Sequence, residues 1–130
     1  MKKEYNSFSL ERRKSMQLLI LILKQAELIE KLLKTLAENG IHGCTILDGH
    51  GMGESLANME DVPMFGALRA MMTSYHQPSK VMLMAVKDDE IIKTTGVIKS
   101  VVGDLSKPNT GILLSVPVYY CEGLVGEECH

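Results

Sequence analysis

Met16-Gln-Leu-Leu-Ile-Leu-Ile-Leu23 is a short apolar run set between Arg12-Arg13-Lys14 and Lys24. A run of this length with polar ends fits a strand buried on both faces, although periodicity alone leaves a helix open. The segment after it is clearer. From Ala26 to Asn39 the apolar positions are Leu28, Ile29, Leu32, Leu33 and Leu36, while Glu27, Glu30, Lys31, Lys34 and Glu38 take the other side. Spacing by three and four marks an amphipathic helix. Asn39-Gly40 ends it, because glycine tolerates the left-handed cap conformation. Ile41 to Asp48 then reads as a second strand, which completes a β-α-β unit.

The same order recurs downstream. Lys80-Val-Met-Leu-Met-Ala-Val86 is another buried-strand run, and Lys87-Asp88-Asp89 supplies a helix N-cap. Ile91, Ile92, Thr95, Ile98, Val101 and Val102 repeat with helical spacing up to Gly103. A polar loop follows, and Gly111-Ile-Leu-Leu-Ser-Val-Pro-Val118 is a fourth strand, with Pro117 favouring an edge because proline cannot donate to the ladder. Between the halves runs a connection of about residues 52–78, with Met64 to Met72 as a candidate short helix inside it. Loops of that length in a compact domain are usually functional.

Two β-α-β units in this order give the split βαβ arrangement. The expected fold class is therefore α+β, ferredoxin-like βαββαβ, an antiparallel sheet with two helices on one face. The expected division is an N-terminal arm over 1–15, the domain over 16–118 and a C-terminal tail over 119–130. With strands apolar on both sides, one sheet face is left open. Leu19, Leu21 and Leu23, or Met82 and Met84, are expected to lie on it, and a patch of that size normally marks an interface. The expectation is a homo-oligomer in which open faces meet.

Composition narrows the function classes. A chain of 130 residues fits one domain. With two Phe, four Tyr, no Trp and nine Met, Leu, Ile, Val and Met must fill the core. A formal net charge of -2 gives no basic field to hold a phosphate backbone, so nucleic acid is not an expected partner. The apolar run ends at Lys24, too short for a membrane span, and no small-residue cleavage site follows it. The three cysteines, Cys44, Cys121 and Cys129, form no CxxC, so reduced thiols and a cytoplasmic location are expected.

Two segments have the residue types of a binding site. Gly49-His50-Gly51-Met52-Gly53 follows a strand, and alternating glycines let a backbone approach a ligand closely; the bland alternative is a flexible loop root. No helix is expected directly after these glycines, so a dinucleotide fingerprint is not supported. Asp104-Leu-Ser-Lys-Pro-Asn-Thr-Gly111 offers Ser106, Lys107, Thr110 and successive N–H groups to an anion; the alternative is an ordinary polar connection. His42 and Cys44, two apart on the expected second strand, would share a face, and a surface position for His42 is the simpler reading. No catalytic residue is assigned, since no nucleophile has a base at a recognisable spacing. No metal site is assigned either.

Gly40-Ile-His-Gly-Cys-Thr-Ile-Leu-Asp-Gly-His-Gly-Met-Gly53 resembles the second-strand segment of the nitrogen regulatory PII signal-transduction family, with its Gly-Ile-x-Gly-x-Thr and its Gly-Phe-Gly. Gly111 to Val118 is similar to that family's Gly-Lys-Ile-Phe-Val-x-Pro-Val strand. The likeness runs from about Met16 to Val118, and these two segments carry it. It implies a homotrimer of ferredoxin-like subunits, adenine nucleotides (ATP, ADP or AMP) or another small anionic ligand in clefts between subunits, and a long loop, here about 52–78, that docks on a membrane transporter or an enzyme. Thr45, Gly51 and Gly53 fall on nucleotide-cleft positions, with Met52 between the glycines, and Thr110 and Gly111 fall on the end of the phosphate loop. The chain departs from the family at several points. The family's lysine after that loop is Ile112, its glutamine is Ser55, and its arginines after the fourth strand are replaced by Tyr119, Tyr120 and Cys121. The expectation is a PII-like regulator, not an enzyme, with Lys107 and Asn109 of the Asp104–Gly111 loop completing the site and Lys107 replacing the missing cation. The rivals are a metal-binding trimer similar to CutA proteins, with His42 and Cys44 as ligands, and a ferredoxin-like dimeric-barrel enzyme, for which no buried acid or base stands out.

Overall fold

Four strands pair in the order β2-β3-β1-β4, every neighbouring pair antiparallel. The computed structural model describes residues 15–57, 59 and 78–124. In chain order these form β1 (Met16–Leu23), α1 (Ile29–Glu38), β2 (Thr45–Gly49), α2 (Met52–Ala57), β3 (Ser79–Lys87), α3 (Ile91–Val102) and β4 (Gly111–Val118). Single 3-10 turns, Ala26–Leu28 and Asp88–Glu90, lead into α1 and α3. This is the ferredoxin-like order, with β4 at an edge where Pro117 costs no ladder hydrogen bond inside the sheet. The arm over 1–14, most of the 52–78 connection with its candidate Met64–Met72 helix, and the end of the tail lie outside the described residues.

The centre of the sheet is β1, paired along its whole length with β3 on one side and β4 on the other. Leu19, Leu21 and Leu23 point from it toward the helices and meet Met82, Met84 and Val86 of β3. Leu32 and Leu36 of α1 and Ile98 and Val102 of α3 close over them to form one core. This reverses the expected faces. Leu19, Leu21, Leu23, Met82 and Met84 are buried under the helices, and the open face carries the alternate set of Leu18, Ile20, Ile22, Val81 and Leu83. Both sets are apolar, so alternation carries no information about side; only helix attachment decides it.

Several boundaries also move. The α1 C-terminus is a Schellman motif: Gly40 N–H donates to Ala37 O and Ile41 N–H to Leu36 O, with Gly40 at φ 82°. Ile41 then packs on the core. The motif holds Ile41 to the helix end, so β2 starts at Thr45, not Ile41, and His42 and Cys44 lie in the loop ahead of it. A six-residue helix does open within the glycine run, at Met52 and including Gly53, contrary to expectation. Along α3, Ile92 is 86% exposed while Thr94 is fully buried beside Ile98 and Val102. The inward stripe of α3 therefore includes a hydroxyl that an apolar pattern does not register. The cap residues Lys87 and Glu90 make no side-chain cap hydrogen bond, and Asp88 accepts from the Gln17 side chain. Cys44 is a free thiol, whereas Cys121 is disulfide-bonded, so the expectation of reduced thiols fails there.

Leu21 sits at the middle of the core with no exposure. Leu21→Ala removes buried carbon where helices and sheet restrict collapse, and is expected to cost about 2–5 kcal/mol. Chemical denaturation checks this; a loss below about 1 kcal/mol would contradict the assignment of Leu21 to the helix-covered face.

Candidate functional site

The C-terminal ends of β1 and β2 and the N-terminal ends of β3 and β4 share one end of the sheet, since Leu23 lies opposite both Lys80 and Gly111, and Gly49 opposite Ser79. Lys24, the first residue past β1, joins the loops that meet there. Its backbone N–H donates to Thr110 O at 3.1 Å. Its ammonium Nζ lies 3.7 Å from where a Cβ on Gly51 would sit. Lys24 thus connects the glycine turn after β2 with the loop before β4. It is exposed, and among the described residues neither its ammonium nor that of Lys107 is held by a carboxylate.

The expected site residues have different fates. Gly51, Met52 and Gly53 lie at this end, at the start of α2, with Met52 78% exposed. His50 Nδ1 is 3.2 Å from Glu54 Oε1 across the turn, which fixes the glycines against the helix. Lys107, Asn109, Thr110 and Gly111 form the neighbouring loop. Thr110 is committed within it: its hydroxyl donates to Lys107 O at 2.8 Å and its carbonyl accepts from Lys24. Gly111 has a structural reason to be glycine, because a Cβ there would stand 2.7 Å from Ile22 O. Asn109 takes a left-handed φ of 62°, which lets the loop turn back into β4. Asp104 accepts from both the hydroxyl and the N–H of Ser106, and these bonds hold its carboxyl below the usual carboxylate range.

Thr45 stands apart from this group. It begins β2, four residues from Gly49, roughly 14 Å away at a strand's rise per residue. It lines a cavity of about 480 Å³ between the Gly40–Cys44 loop, β3 and the start of α3. His42 and Cys44 line the same cavity, and burial pushes the Cys44 thiol up. Among the described residues no three His, Cys, Asp or Glu side chains gather as a metal ion would require. Likewise, no helix there is long and apolar enough to cross a membrane. Sequence reading treated Lys24 only as the end of an apolar run. Its role depends on two loops, 27 and 86 residues away (Gly51 and Thr110), which no local pattern reports.

No protein-family model matches the chain, and no curated protein is significantly similar in sequence. Solved structures do match. A crystal structure of Arabidopsis thaliana PII bound to citrate superposes with a TM-score of 0.57 at 18% identity, covering 81% of this chain and 78% of that one. The chain has a PII-like fold. A functionally unknown protein from Pediococcus pentosaceus is similar at TM-score 0.57 and 13% identity, covering 85% of this chain and 99% of that one. At such identities the PII likeness is one of fold.

At the edge of the sheet, Asp48 and Lys80 are directly opposed on β2 and β3 and form an ion pair. The hydrogen bond from Lys80, then its charge, holds the Asp48 carboxyl below its ordinary range. A depressed carboxyl value means the pair supports β2 above the unfolded value and loses that support as pH falls through the folded one. Lys80→Met is expected to raise the Asp48 titration midpoint, read by NMR at the side-chain carboxyl. An unchanged midpoint would show that Lys80 does not hold it.

Proposed function

We propose that this chain is a PII-type signalling protein that binds a small anionic ligand, an adenine nucleotide such as ATP, ADP or AMP, at seams between subunits of a homotrimer. It acts by binding, not by catalysis. The observation that carries the reading is the convergence of Lys24, the Gly51–Gly53 turn and the Lys107–Gly111 loop at one end of the sheet. The Lys24 ammonium, which among the described residues has no carboxylate partner and lies beside Gly51, with Lys107 in the neighbouring loop, forms a setting in which phosphate oxygens gain charge-assisted hydrogen bonds.

The trimer reading rests on the open sheet face. Leu18, Ile20, Ile22, Val81 and Leu83 continue onto β4 through Ile112, Leu114 and Val116, which are 50%, 40% and 40% exposed. Taking such half-exposed side chains out of water contributes about 1 kcal/mol each. A second and third copy are the occupants that supply a matching apolar surface from the same sequence. β4 and β2, the two edges, then border the seams, and the cation-bearing end of one subunit faces its neighbour there. The 52–78 connection leaves from Gly51 and Met52, so a ligand that binds one arrangement of this turn better than another biases the loop and its contact with a transporter or an enzyme.

Calorimetric titration with ATP, ADP, AMP and cyclic dinucleotides tests the reading. At least one is expected to bind, and Lys24→Ala or Lys107→Ala is expected to weaken it roughly tenfold to a hundredfold, the range for losing a charged hydrogen bond. No heat with any of them, or full affinity in both variants, would remove the proposed site.

A further inference from the structure

His50 stands between the end of β2 and the glycine turn, and its ring is tied to the helix that follows. Its Nδ1 lies 3.2 Å from Oε1 of Glu54, which is in the first turn of α2. The same turn is closed by Ser55 N–H donating to Gly51 O at 3.0 Å. The Glu54 side chain is 12% exposed and the imidazole 63%. The carboxylate is therefore held in place, while the ring exchanges protons freely with water. Imidazole is the side chain whose ordinary titration changes its charge between about pH 5 and 8.

Among the described residues, charged side chains from every neighbouring element share this end of the sheet with His50. Glu54 comes from α2, Asp48 from β2, Lys80 from β3 and Lys24 from just past β1. Lys80 pairs with Asp48. The Lys80 hydrogen bond, then the Lys80 charge and, in smaller measure, the charge on His50 hold the Asp48 carboxyl low, so the imidazole is within electrostatic reach of a second carboxylate. The Lys24 ammonium lies against Gly51, the next residue along the chain. With the ring neutral, these two carboxylates and two ammoniums cancel; with the ring protonated, their sum is +1. The neighbouring loop adds Asp104 and Lys107, one of each sign, and leaves that sum unchanged. One proton thus decides whether this end of the sheet is neutral or cationic among the described residues.

We propose that His50 is the proton-sensitive element of the anion site, and that an anion is bound more tightly when its ring is protonated. The proposal rests on the anion reading above and adds its regulation. Two effects act in the same direction. The imidazolium adds a positive charge next to the residue against which Lys24 lies. It also strengthens the hold on Glu54, because a hydrogen bond between charged partners is the stronger kind. That hold keeps the Gly51–Gly53 turn against α2, beside the Lys24 ammonium. The gain is present below the titration of the ring and is lost as pH rises through it. Linkage makes the effect reciprocal: the anion favours protonation of His50 by the same factor as protonation favours the anion.

Sulfate is the probe, because its charge stays constant where that of a phosphate changes. Amide NMR of the full-length, isotope-labelled protein follows Lys24, Gly51, Gly53 and Lys107 through sulfate titrations at about pH 5.5 and about pH 7.5, at one fixed ionic strength. The affinity at the lower pH is expected to be roughly threefold to tenfold higher, the order for one added charge in a partly screened site. Saturating sulfate is expected to raise the titration midpoint of the His50 ring. His50→Gln keeps a hydrogen-bonding side chain that does not titrate, and is expected to hold the affinity near the higher-pH level at both pH values. Glu54→Gln removes a negative charge and is expected to raise the affinity at the higher pH. His42→Gln, in the loop ahead of β2, is expected to keep the full pH dependence. Equal affinity at the two pH values, or a pH dependence that survives in His50→Gln, would overturn the proposal and leave the anion site standing. An absence of sulfate shifts at these amides at both pH values would remove the anion site and this proposal with it.

Discussion

The fold depends on β1 being apolar on both faces while paired on both edges. Because every residue from Met16 to Leu23 is hydrogen-bonded into the middle of the sheet, its alternate side chains divide strictly between two sides. One set, Leu19, Leu21 and Leu23, goes under α1 and α3 and makes the core. The other set has no helix to cover it. The helices are already used on the first side, and the described chain holds no third element over the second. A sheet that is oily on both sides but roofed on one is the constraint from which the proposed assembly and its seams follow.

The two ends of that sheet have different chemistry. At one end, strand termini bring together glycines and lysines that have no carboxylate partner among the described residues, from segments far apart in sequence, with Thr110 as the internal clamp that holds its loop to Lys24. At the other, a helix-capping glycine motif holds Ile41 back, shortens β2 and leaves a gap beside β3. That gap is a direct consequence of local backbone preferences. Charge follows the same division, with cations at the first end and Glu90 at the second.

Element order was legible in the sequence because each helix shows a stripe of period three to four and each strand a compact apolar run. The β-α-β repetition then fixed the architecture. Which face of β1 meets the helices was not legible, since Leu18, Ile20 and Ile22 are as apolar as Leu19, Leu21 and Leu23. The late start of β2 was hidden for a different reason: Ile41, a good strand former, is captured by the α1 cap. At the candidate site, the glycine turn and the Lys107–Gly111 loop were recognisable from residue type. Lys24 was not, because its meaning comes from contacts with both. Thr110 and Gly111 were assigned to ligand binding, yet their contacts explain them first as loop clamp and close-packed strand start. Thr94 escaped notice because an apolar periodicity skips a hydroxyl that happens to face inward.

Self-association carries the central claim, since a seam exists only if copies cover the open face. Sedimentation equilibrium of the purified full-length chain measures it directly. The account predicts a single species of three times the 14.4 kDa chain mass, persisting to low micromolar concentration. A species of one chain mass at every concentration would contradict it.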